Sequence, residues 1–261
     1  MIYLRITLNL FFLLVSLCYK AQIVEVQYQQ IFNTPSISLD KIYNLVINDT
    51  ISVYLEKQSN LKSNESNSDS NYNQKTIDIN IGNKEKNNLY VNKKGQFYFI
   101  ETFFGEPLKI KEDPFEEKWI ELDSIKSISN FKCKLAKKKF RGRTYFAWYT
   151  EDIPTVFGPW KLNGLSGLIL EAYDSKNEFH INALKINFIN ENLQYYTKLI
   201  NESNEVFLNQ KNIISISDLK EFINEKNNVI LSRISQQLPR SISVPKLNDE
   251  CDECDEPLEK Y

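Results

Sequence analysis

The sequence predicts a mainly β (α+β) protein: a single curved antiparallel sheet or half-barrel with one C-terminal covering helix. Three observations carry this expectation. Aromatic residues make up 13% of 261, with 14 Tyr and 16 Phe, and such side chains favour strands over a helical bundle. Short alternating runs recur, separated by Asn, Asp and Gly. Only one late segment has convincing helical periodicity, and no repeat of fixed period is present.

Residues 1–21 read MIYLRITLNLFFLLVSLCYKA. Arg5 precedes an apolar stretch, Ile6–Leu17, too short to span a bilayer, so the segment reads as a secretory signal. Cleavage after Ala21 leaves Gln22 first; cleavage after Cys18, or instead its lipidation, is the alternative, although Leu17 is large for a lipobox. No second apolar run of spanning length follows.

Residues 22–247 read as one β-rich domain. Ile23–Phe32 alternates, with Val24, Val26 and Tyr28 on one face and Ile23, Glu25 and Gln27 on the other. Ile42–Ile47 and Thr50–Glu56 form a hairpin at Asn48-Asp49. Residues 58–75, QSNLKSNESNSDSNYNQK, are a low-complexity insert with too little apolar surface to order itself. Leu89–Val91 and Gln96–Phe103 flank a second hairpin turn ending at Gly95. Further strands are expected at Trp119–Leu122, Ser129–Ala136, Thr144–Thr150, Leu168–Tyr173 and Phe179–Phe188. A helix starts at Ser217-Asp218, where a side-chain oxygen accepts from a free backbone N–H, and sets Leu219, Phe222, Ile223, Ile230, Leu231 and Ile234 on one face, expected to lie on the sheet. Residues 248–261 form an acidic tail.

Charge separates tail from body. Residues 249–261 carry seven acids and one base, and residues 22–248 carry 27 acids and 29 bases. That balance excludes the basic footprint of a nucleic-acid binder. With 7 Gly and 1 His, a glycine-rich nucleotide fold and any two-histidine mechanism are excluded as well, and no cofactor is implied.

The most specific stretch is Phe140–Asp174, FRGRTYFAWYTEDIPTVFGPWKLNGLSGLILEAYD. Arg141-Gly142-Arg143 turns the chain between two strands, Pro154 stops the second by removing a donor, and Gly158-Pro159-Trp160 bends it again. Gly164-Leu165-Ser166-Gly167-Leu168-Ile169 then leads into a strand. This run resembles the GLPGLI family of secreted Bacteroidetes proteins, with Ser166 in the place of the usual proline. Trp119, Lys126, Cys133, Ala136, Ala147-Trp148-Tyr149-Thr150 and Ile153-Pro154 fit the same pattern, and Asp255–Glu259 resembles the family's ending. The resemblance implies a signal peptide and an extracytoplasmic β-rich domain, and no established activity.

Candidate ligand- or partner-loop residues are Trp148, Tyr149, Pro154, Gly158, Pro159, Trp160, Gly164, Leu165 and Gly167. Each has a plain structural reading beside it, since aromatics pack cores and glycines allow close approach. The connection Pro154–Gly167 is expected to project from one end of the sheet as an ordered loop. No catalytic or metal site is expected; a Cys133–His180 nucleophile pair has no motif around it. The seven bases of residues 132–143 read as a solvated hairpin or as a docking patch. Cys133, Cys251 and Cys254 leave three outcomes open: a local Cys251–Cys254 disulfide, a bridge from Cys133 to the tail, or no stable disulfide.

Two function classes follow. The first is a non-enzymatic envelope protein, in the periplasm or outer envelope, that binds an envelope or outer-membrane partner or an apolar ligand through its curved sheet; a half-barrel with a helical cover resembles lipoprotein carriers. The second is a hydrolase with carboxylates and hydroxyls converging near Trp148–Gly167.

Overall fold

The computed structural model describes residues 23–35, 38–57, 88–93, 95–113, 117–208 and 212–237. The signal segment, the insert 58–75 and the acidic tail with Cys251 and Cys254 lie outside these residues. Within them the first arm of the chain forms β1 (Ile23–Asn33), β2 (Ser38–Ile47), β3 (Ile51–Glu56), β4 (Leu89–Lys93), β5 (Gln96–Phe103) and β6 (Glu106–Glu112). The second arm forms β7 (Ile120–Ile128), β8 (Phe131–Phe140), β9 (Arg143–Thr150), β10 (Leu168–Asp174) and β11 (Phe179–Ile189). Helix α1 (Leu193–Leu208), strand β12 (Ile213–Ser215) and helix α2 (Ile216–Gln237) complete the described chain.

All twelve strands join one curved, unclosed sheet in the order β12-β6-β5-β4-β3-β2-β1-β11-β10-β9-β8-β7. Each arm is an antiparallel meander, and the arms meet where β1 pairs with β11, Ile23 opposite Ile189 and Phe32 opposite Phe179. The strands of segments 119–136, 144–150 and 168–188 are neighbours in the sheet, and the expected hairpin at Asn48 is observed, its side chain accepting from the Thr50 and Ile51 N–H groups at 2.9 and 3.0 Å.

The inner face carries the larger core. Val24, Val26 and Tyr28 of β1 contribute to it as their alternation requires, while Ile23 faces a second, outer cluster. That outer cluster exists because α1 covers β3 and β4 with Leu199, Ile200 and Phe207. Covered on both faces, Ile51–Leu55 and Leu89–Asn92 are buried without interruption.

Several expectations change in detail. The sheet has two helices beside it rather than one; α1 supplies the outer cover, and its buried side chains follow a helical stripe. Helix α2 begins two residues before the expected start. Ser215 and Asp218 cap it reciprocally: the Ser215 hydroxyl accepts from the Asp218 N–H at 3.2 Å, and the Asp218 carboxylate accepts from the Ser215 N–H at 2.9 Å. Those bonds from Ser215 hold Asp218 below the ordinary carboxylate range. Only the first turns of α2 reach the core, through Leu219, Ile216 and Ile223; Val229, Ile230 and Ile234 remain exposed. The sheet also gains β6, whose Glu106–Glu112 sequence hides two core residues, Leu108 and Ile110, among charges.

The basic run 132–143 is neither wholly solvated nor a free patch. Lys138 and Arg143 are buried, Arg141 pairs with Glu112, and Lys134 meets Glu151 at 2.7 Å. Arg143 donates to Asp174 and, at 2.7 Å, to Glu178, tying the β8–β9 turn to the β10–β11 turn.

Candidate functional site

The connection between β9 and β10 determines what the sheet can offer. It is ordered and non-helical, as expected, but it does not project. Ile153, Phe157, Trp160, Leu162 and Leu165 turn back and join the inner core. The Trp160 ring lies 5.0 Å from Phe179, 5.9 Å from Tyr145 and 6.1 Å from Phe140. Lys161 follows it inside, 4.0 Å from the Phe99 ring and 3.4 Å from the Glu101 carboxylate, which also accepts from the Tyr90 hydroxyl at 2.6 Å. The segment therefore lies across the inner face from β11 to β5. Trp160 holds a φ of 51°, a left-handed conformation unusual for a bulky residue and kept in place by this packing.

The motif glycines serve that path. A Cβ on Gly158 would sit 1.9 Å from the Leu162 carbonyl oxygen, and one on Gly167 would sit 2.0 Å from that of Thr150. Gly164 has a φ of 101° and donates to the Val156 carbonyl at 2.9 Å. Replacing Gly167 by Ala is expected to cost about 1–3 kcal/mol, because backbone rather than a mobile side chain must yield. A thermal melt checks this: the midpoint should fall by several degrees, and an unchanged midpoint refutes the close approach.

Folding the connection inward leaves an open cleft of about 760 Å³ at the sheet end that carries the β2–β3 and β4–β5 turns. Asn92 of β4, Trp119, Lys138 of β8 and Asn163 line it, with Phe97 and Phe157 beside them. Asp49, Glu117 and Lys118 also contribute. The Trp119 indole N–H donates to the Asn163 carbonyl at 2.9 Å, and the Asn163 side-chain oxygen accepts from the Gly158 N–H at 2.9 Å. The Lys138 ammonium lies 5.9 Å from the Trp119 ring and 5.2 Å from the Phe140 ring. Burial pushes its pKa down, and the charges of Glu117 and Glu112 oppose that shift. Two amide atoms have no hydrogen-bond partner: Oδ1 of Asn92, an acceptor, and Nδ2 of Asn163, a donor.

Of the nine nominated residues, Gly164 lines this cleft. Pro159, Trp160, Leu165, Gly158 and Gly167 are buried, and Pro154 is exposed. Tyr149 is buried with its hydroxyl donating to Glu121 at 2.8 Å. Trp148 is half-buried on the outer face, 4.5 Å from the Lys126 ammonium, which pairs with Glu171 at 2.6 Å. Asn92, Trp119, Lys138 and Asn163 share no sequence signal, for they come from four separate parts of the chain. Lys138 carried one signal, a cation in a strand position that alternation turns inward.

Hydroxyls and carboxylates do meet beside the motif. Ser166 donates to Glu151 at 3.3 Å, Glu151 pairs with Lys134, and Tyr149 meets Glu121. Glu151 raises the Lys134 pKa, Lys134 lowers that of Glu151, and burial with the Glu121 charge pushes Tyr149 up to about 12. These shifts reinforce ordinary charge states and poise no group near neutrality for proton transfer. Cys133 and His180 stand apart: Cys133 is buried on β8 opposite Lys126, whereas His180 stacks on Tyr173 from β11, three strands away.

Residues 116–171, about a fifth of the chain, match the model of a family described as a protein of unknown function (Porph_ging). No curated protein matches the chain. Among solved structures, it is similar to PNGF-II, in two crystal forms, at 15% identity and a TM-score of 0.47, over 78% of this chain and 33% of that one. The chain thus spans about a third of the length of PNGF-II. It is also similar to a LolA superfamily protein from Nitrosomonas europaea, at 8% identity and a TM-score of 0.27, over 68% of this chain and 91% of that one. No helix among the described residues is long and apolar enough to cross a membrane.

Proposed function

We propose that this is an exported, non-enzymatic binding protein of the cell envelope, of the GLPGLI kind, and that the cleft at the sheet end receives its ligand or partner. The observation that carries the proposal is the path of the β9–β10 connection. It places Trp160, Leu162 and Leu165 on the inner face, where a carrier would hold an acyl chain, and leaves the cleft open beside it. The rim of Trp119 and Val156, over the buried Phe97 and Phe157, suits an occupant with an apolar face. The GLPGLI reading is supported by the family match, since residues 116–171 take in most of the motif-bearing stretch. Export rests on the signal-like segment 1–21.

The test begins with intact-mass analysis of protein recovered outside the cytoplasm, which should start near Gln22; a retained Met1 overturns export. The same protein is then washed with native envelope extract and its bound material identified by mass spectrometry. Val156, 60% exposed at the cleft, is replaced by Trp to block it. Material held by the wild type and lost from Val156→Trp supports the cleft; material held equally by both overturns it. A fluorescent acyl chain that binds the unmodified protein with Val156→Trp affinity unchanged also counts against it.

A further inference from the structure

We infer that the free edge of β11 binds an extended, acidic peptide of a partner protein and adds it to the sheet as a further strand, at a surface separate from the cleft. β11 pairs with β1 along Phe179–Ile189, but with β10 only at His180, Ile181 and Asn182. Beyond Asn182 the two strands part. Each bulges there: the β9–β10 register slips between Ile169 and Glu171, and the β1–β11 register skips Leu184. The start of β10 is committed elsewhere. Its Leu168 N–H donates to the Ile153 carbonyl at 3.0 Å, and its Ile169 carbonyl accepts from the Tyr28 hydroxyl at 2.6 Å. From Ala183 to Phe188, alternate backbone groups of β11 therefore turn away from β1 with no strand among the described residues to receive them.

The backbone and the groove beside it identify the occupant. N–H and C=O groups left open at strand spacing are matched by an extended polypeptide, and not by a lipid or a small solute. Ile128, Phe131 and Leu170 line an apolar groove of about 220 Å³ together with Leu184 and Phe188 of the open edge. Leu184 and Phe188 are 53% and 45% exposed. The volume falls below the range usual for small-molecule pockets, about 300–1,000 Å³, and suits an apolar side chain of an added strand. Charge selects among peptides. Among the described residues, Lys185 is the ionisable group lining the groove, and Lys132, beside Phe131, is exposed as well. An acidic strand meets opposite charge there. A second copy of the same edge would bring its own Lys185, and like charges across a strand pair are destabilising.

The experiment measures binding of the whole exported protein to an array of peptides about eight residues long, enough to cover the open edge. Each alternates an apolar residue with Glu, Thr or Lys. The Glu series should bind best. N-methylation of alternate amides should abolish binding for the set that faces β11 and spare the other set, a signature that a plain apolar groove does not give. Lys185→Glu should weaken the Glu series about fivefold and strengthen the Lys series. Phe188→Ser, at an exposed position, should weaken binding by roughly tenfold with an unchanged melting midpoint. Val156→Trp, which blocks the cleft, should leave peptide binding as it is. If no peptide binds, or if both sets of methylated amides behave alike, strand addition is overturned. A series preference that Lys185→Glu does not alter overturns the acidic assignment. Peptide binding lost in Val156→Trp and kept in Phe188→Ser places the peptide in the cleft and overturns the edge as its site. Self-association in sedimentation that Phe188→Ser removes assigns the edge to a second copy and overturns the partner peptide.

Discussion

Raising the pH above about 10 is expected to unfold the protein in one cooperative step that releases several tyrosine protons together. Tyr28, Tyr43 and Tyr54 stand side by side on the inner face across β1, β2 and β3, each at most 1% exposed. Tyr43 and Tyr54 stack 4.7 Å apart, and the Tyr28 hydroxyl donates to the Ile169 carbonyl at 2.6 Å. Burial raises all three well above the ordinary tyrosine range, and the Glu56 charge adds to the effect at Tyr43 and Tyr54. The sign follows from linkage. Below pH ~10 both states hold these protons and stability is unaffected; above it the unfolded chain loses them and the folded chain cannot. Each tyrosine then removes about 1.4 kcal/mol of stability per pH unit, so three remove about 4. A domain with a usual reserve of about 5–15 kcal/mol fails within a few units. Lys138 acts in the opposite sense, because burial lowers its pKa and stability rises until the unfolded lysine also deprotonates near pH ~10.4, but it is one group against three. Tyrosinate absorbance and circular dichroism, followed together against pH, check the result. Tyrosine ionisation complete near pH ~10 in a chain that keeps its native dichroism would contradict it.

Replacing Trp160 by Ala is expected to lower stability by about 3–5 kcal/mol, with a melting midpoint lower by roughly 6–20 °C. The side chain is 2% exposed and packs on Phe140, Tyr145 and Phe179, which cannot all collapse into the space it leaves. The left-handed backbone gives no offset, because alanine keeps the Cβ that makes this conformation costly. The variant should also open the inner face to an apolar dye that the wild type excludes. Wild-type stability in the variant, or equal dye binding by both, would show that Trp160 is not what fills that space.

Much of the fold was legible from local chemistry. The alternation of Val24, Val26 and Tyr28, and the Asn48 turn, depend on neighbours in sequence and appear where expected. Strand β6 was hidden because Pro107 and four charges surround its two core residues; Lys109 and Lys111 alternate onto the other face, while Glu112 shares the core face and is buried against Arg141. Helix α1 was hidden by its Thr, Asn, Val and aromatic residues, whose helical propensity is poor; packing on β3 and β4 overrides it. The inward path of the β9–β10 connection did leave a trace, since Phe157, Trp160, Leu162 and Leu165 are too apolar for a projecting loop. The cleft was the least legible part. Asn92, Trp119, Lys138 and Asn163 are unremarkable one by one, and only the curvature of the sheet gathers them.

The pairing of β1 with β11 also governs how the chain reaches this structure. Each arm is a run of hairpins whose contacts are close in sequence, and such contacts form early. The strand that joins the arms is the first described in the chain, and its second neighbour lies some 150 residues further on, with Phe32 opposite Phe179. Loop closure of that length must precede the contacts that reward it. Two kinetic stages result, rapid formation of the arms and slower docking at the seam. Until β11 arrives, one edge of β1 presents unpaired backbone and a row of apolar side chains, so a chain cut short before Phe179 carries an aggregation-prone strand that the complete chain conceals.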